Sequence, residues 1–62
     1  ALLLTLGRLC RAQQLWGKAR SYLEAALAIE PSRTAHVELA QLLDQLEDPV
    51  LAAVHYRAAA LC

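Results

Sequence analysis

Two histidines, two cysteines and a pair of arginines one helical turn apart are the residues of this chain whose types suit chemistry. His36 and His55 are of the type that most readily binds transition metals or titrates near neutral pH. Neither has a Cys or carboxylate at i+3 or i+4, the spacing that would build a metal site on one helix face, and they fall on different segments. His36 therefore reads as a half-buried packing residue, and no metal ligand is assigned. Cys10 lies on an apolar face and reads as a small hydrophobe rather than a thiolate ligand, and Cys62 carries no pattern. Trp16 to Ser21, W-G-K-A-R-S, lacks the glycine spacing and preceding strand of a phosphate loop. Trp16 and Tyr22 read as core and rim rather than as a stacking platform. No Ser-His-Asp or Cys-His arrangement is visible, so no catalytic residue is assigned and the chain reads as a non-enzyme. Arg8 and Arg11 remain. They can grip a carboxylate or an acidic segment through charge-assisted hydrogen bonds, or they are solubilising charges on an exposed face.

Composition narrows what can position such residues. A chain of 62 residues is one small domain that buries only about 60% of its unfolded surface. Apolar residues make up 58%, and 27 of them are Ala or Leu, the strongest helix formers. There is no Phe or Met and only two Gly, a balance that argues for an all-α fold. Net charge is zero, against non-specific nucleic-acid or membrane-surface binding. Charges up to Arg20 are all positive, whereas Glu24 to Asp48 is mostly negative. No apolar run approaches the ~20 residues needed to span a bilayer. Two cysteines make no disulfide framework, which favours a reducing compartment. The chain starts without Met inside a helical pattern and reads as a piece of a longer protein.

Apolar spacing predicts four antiparallel helices, over approximately 1–13, 15–29, 33–46 and 49–61. The first turns Leu3, Leu6, Gly7 and Cys10 to one side, with Leu2 and Leu9 flanking. Gly7 costs about 1 kcal/mol relative to Ala inside a helix, so it marks a place where another helix comes too near for a Cβ. The second helix alternates Trp16, Ala19, Leu23, Ala26 and Leu27, and Pro31 stops it. Ser32 is expected to cap the third, which buries His36, Leu39, Ala40 and Leu43. Asp48 as cap and Pro49 at the first position open the fourth, with Ala52, Tyr56 and Ala59 inward. Leu6-Gly7, Cys10, Ala19, Leu23 and Ala26 recur thirty-three residues later as Leu39-Ala40, Leu43, Ala52, Tyr56 and Ala59. A two-helix unit repeating at this period is the signature of an α-solenoid, here with repeat one at 1–31 and repeat two at 32–62 of a single domain.

The first unit, Leu3-x2-Leu6-Gly7-x2-Cys10…Ala19-x3-Leu23…Pro31, resembles the tetratricopeptide (TPR) pattern W-x2-L-G-x2-Y…A-x3-F…P. So does the second, His36-x2-Leu39-Ala40-x2-Leu43…Ala52-x3-Tyr56. The pattern's Trp and Tyr are aliphatic, Cys or His here, and the step is one short of the usual ~34 residues. The wording L-L-x-T-L-G-R-L-C, L-W-G-K-A-R-S-Y-L-E-A-A-L and P-S-x-x-A-x-x-E-L-A-x-L-L further resembles the C-terminal TPR region of the proteobacterial HemY family. That resemblance implies a parent protein associated with late haem biosynthesis, cytoplasmic in this part and anchored in the bacterial inner membrane by a segment absent here.

The TPR resemblance implies that the first helix of each unit lines a concave face that docks a protein or peptide partner. That face would carry Leu4, Arg8, Arg11 and Ala12 from the first unit and Thr34, Val37, Gln41, Asp44 and Gln45 from the second. The function implied is a non-catalytic protein–protein interaction module in haem or protoporphyrin biosynthesis, with no cofactor of its own. The alternatives are a porphyrin-binding or enzyme-assisting domain of that pathway, and a generic TPR adaptor or oligomerisation module. Leu2, Leu3 and Leu4 at one end, and Val50, Val54 and Leu61 at the other, are expected to leave apolar surface that favours self-association.

Overall fold

The computed structural model describes residues 2–62, so the expected helical start at Ala1 lies outside the described residues. Helices α1 (Leu2–Ala12), α2 (Trp16–Ile29), α3 (Arg33–Gln45) and α4 (Pro49–Leu61) follow one another, each within a residue or so of its expected bounds. No strand occurs among the described residues. Helix α1 packs on α2 and touches α3, α2 also packs on α3, and α4 packs on α3 alone. A closed four-helix bundle would bring α1 against α4. The open order seen here is that of two stacked hairpins, an α-solenoid.

Each boundary has a local cause. The Ser32 hydroxyl accepts from the Ala35 amide at 3.1 Å, and an Asp48 carboxylate oxygen accepts from the Leu51 amide at 3.3 Å ahead of Pro49. Glu30 is extended, as a residue before proline must be, and α2 ends there. The two hairpin turns use one device. Gln14 and Glu47 take left-handed φ values of 62° and 60°. The Leu15 amide then donates to the Cys10 carbonyl at 2.8 Å, and the Asp48 amide to the Leu43 carbonyl at 2.9 Å. These turns lie thirty-three residues apart, so the repeat governs the connections as well as the core.

The core holds Ala19, Leu23, Leu39, Leu42, Leu43 and Ala52, with Leu4, Cys10, Trp16 and Leu27 packed against it. A Cβ on Gly7 would meet the Cγ and Cδ2 of Leu23 at 2.7 Å, so α1 does approach α2 over a missing side chain. Two expectations need correcting. The buried surface of α3 is wider than the expected stripe, because α3 is packed on both sides: Ala35 and Leu42 are buried as well, and His36 is half-buried, as expected of a packing residue. Tyr56 was expected inward but is 40% exposed. Its counterpart Leu23 is fully buried between α1 and α3, whereas α4 has α3 as its one neighbour, and the Tyr56 hydroxyl reaches out to Asp44 at 3.0 Å.

Two substitutions read these features in urea unfolding. Gly7→Ala lowers stability by about 1–2 kcal/mol despite the better helix former, since the fully buried Leu23 side chain must shift to admit the Cβ. Glu47→Gly raises it by about 0.5–1 kcal/mol, because glycine takes the left-handed conformation without strain.

Candidate functional site

Helices α1 and α3 stand side by side, and their outward rows form one face. Arg8 and Arg11 meet there, but over a residue the sequence reading did not single out. Glu38 on α3 receives Arg8 Nε at 3.3 Å on Oε1 and Arg11 Nη2 at 3.1 Å near Oε2. That second oxygen is buried and accepts no well-aligned hydrogen bond, so charge rather than direction holds it to Arg11. Arg11 Nη1 also donates to the Glu38 carbonyl at 3.3 Å and to Gln41 Oε1 at 3.2 Å. The two arginines are thus tied across the repeat boundary. Arg8 keeps 48% of its side chain open to solvent, against 23% for Arg11 and 14% for Glu38.

The other expected residues divide between two depressions. Arg11, Gln41, Asp44 and Gln45 line a polar hollow of about 280 Å³ together with Tyr56, whose place on this face was not foreseen. There the Asp44 carboxylate accepts a hydrogen bond from the Tyr56 hydroxyl and raises that phenol's pKa above its ordinary value. Leu4 and Thr34 instead line a second hollow of about 420 Å³, most of whose lining residues are aliphatic, with Leu2, Leu3, Ala26 and Ile29 among others. Val37 is half-buried and Ala12 is exposed. The signal that could have found Glu38 was its charge: an acid on α3, one helix over from two arginines that stacking would bring beside it.

The histidines also meet. His36 on α3 and His55 on α4 bring their Nδ1 atoms to 3.1 Å, with ring centroids 5.4 Å apart and planes inclined at 33°. With both rings neutral, one Nδ1–H donates and the other nitrogen accepts. Burial chiefly, then the neighbouring His36, pushes the His55 pKa below its ordinary 6.5, with Glu24 opposing and Arg20 adding slightly. The sign follows: as pH falls through 6.5 the unfolded chain takes up the proton more readily than the native one, so stability falls. Urea midpoints measured from neutral pH downward should therefore drop through this window, and His55→Gln should flatten the slope. A flat profile in the parent would contradict the pairing.

The fold and this face define a class, the α-solenoid of helical hairpins. A family profile for the tetratricopeptide repeat matches residues 1–42, more than half of the chain, and the chain belongs to that family. Searches of curated proteins and of solved structures returned no match. The repeats of this family serve as protein–protein interaction modules, and no helix among the described residues is long and apolar enough to cross a membrane.

Proposed function

We propose that this chain is a non-catalytic docking module, with repeat one at 1–31 and repeat two at 32–62, that holds an extended, carboxylate-bearing peptide segment along the α1/α3 face. The carrying observation is the Arg8–Glu38–Arg11 cluster beside the polar hollow of Gln41, Asp44, Gln45 and Tyr56. Arg8 stays half open and its guanidinium can take a second carboxylate, while Glu38 keeps both arginines extended and oriented. Docking of this kind is electrostatic in approach and weakens with salt. In fluorescence anisotropy with labelled peptides of graded charge, acidic peptides should bind best. The double variant Arg8→Glu/Arg11→Glu should lose that binding and Glu38→Gln should strengthen it. Unchanged binding in the double variant would remove this face from consideration.

A second reading concerns the ends. Leu2 and Ile29 at one end, and Val50, Val54 and Leu61 along α4, are large apolar side chains 55–82% exposed. Such surface favours association of copies end to end or by hairpin exchange. Light scattering on increasing concentrations should show mass rising above that of the single chain; a strict monomer would refute it.

The narrower placement, in haem or protoporphyrin biosynthesis on the cytoplasmic side of an inner membrane, has the wording of the repeats as its support. A hydrophobic anchor and further repeats in the parent sequence would strengthen it. The porphyrin-binding alternative has no additional feature in its favour.

A further inference from the structure

From the meeting of two imidazoles across the α3/α4 packing, we propose that His36 and His55 form a two-point binding site for a divalent first-row transition ion, with Zn2+ as its representative. The geometry is that of a chelating pair. Imidazole nitrogens bind such ions at about 2.0–2.1 Å, so two nitrogens 3.1 Å apart subtend an angle of about 98° at a shared ion. That angle lies between the right angle of octahedral ions and the wider tetrahedral one, within reach of either coordination. The two Nδ1 atoms lie within hydrogen-bond distance of each other, and a turn of each ring by about 40° would bring both lone pairs onto an ion beside the line joining them. The rings are tilted rather than stacked and both are half-buried, so an ion has access from solvent.

The charges on α2 act in opposite directions on a cation held here. Glu24 on α2 is the acidic group that acts on His55, and Arg20, the opposing charge on the same helix, is held by Glu24 at 3.1 Å. No group of three or more His, Cys, Asp and Glu side chains gathers to hold an ion among the described residues, so water completes the shell. The site is therefore an exchangeable clip rather than a closed structural centre. Its ligands come from both helices of the second hairpin, so a bound ion ties α3 to α4 and stabilises the fold in proportion to its free concentration. Proton and metal compete for the same nitrogens, so acid releases the ion.

The test is Zn2+ titration of the full chain at slightly alkaline pH, followed by calorimetry and by imidazole 15N shifts. One ion per chain, a rise in unfolding temperature with Zn2+, and joint movement of the His36 and His55 resonances are expected. His36→Gln and His55→Gln, which keep a polar side chain of similar size, should each abolish saturable binding while circular dichroism confirms an intact helical fold. Absence of saturable binding in the parent would overturn the proposal. So would binding that survives both His variants, or that disappears on replacing the exposed Cys62 by Ser.

Discussion

The approach of α1 to α2 over Gly7 is the constraint on which the remaining packing rests. With no Cβ at that point, the Leu23 side chain occupies the space and becomes fully buried. Leu23 then presents a filled surface on which α3 lays Leu39 and Leu42, and α2 is enclosed from two sides. Small residues repeat the principle further along: Ala19, Ala40 and Ala52 are each almost wholly inaccessible, as small residues at close helix contacts are. A chain this short has few large side chains to bury, and close approach is how it makes a dry interior from Ala and Leu.

The second hairpin shows what happens when one side of this arrangement is open. Ala40 stands where Gly7 stood, and Tyr56 where Leu23 stood, but α4 has a single packed neighbour. The ring moves to the rim, and its hydroxyl joins Asp44 instead of facing an apolar wall. The same departure from strict repetition supplies the polar hollow beside Arg11. The polar character of the α1/α3 face in this repeat pair thus arises where the two copies differ, while the shared positions provide the frame.

Charge follows a similar division. The basic first third and acidic middle of the chain look in sequence like a mild dipole. Stacking converts part of it into a local interaction, with Glu38 drawing Arg8 and Arg11 across the boundary between hairpins. Because that acid is largely buried, its charge acts on the arginines more strongly than an exposed pair would.

Helix number, helix ends, the small-residue contact at Gly7 and the two-unit repeat were all determined by the sequence, since each depends on neighbours within about one turn or on a fixed period. Ser32, Asp48, Pro31 and Pro49 act locally and can be read locally. The pairing of His36 with His55, the capture of two arginines by Glu38 and the outward turn of Tyr56 were decided by tertiary structure. Each joins residues 12 to 30 positions apart, or depends on how many helices cover a given face. Spacing along one helix carries no record of which side chains a second helix brings opposite, and that is why two histidines separate in sequence come within hydrogen-bonding distance only once α3 and α4 have packed.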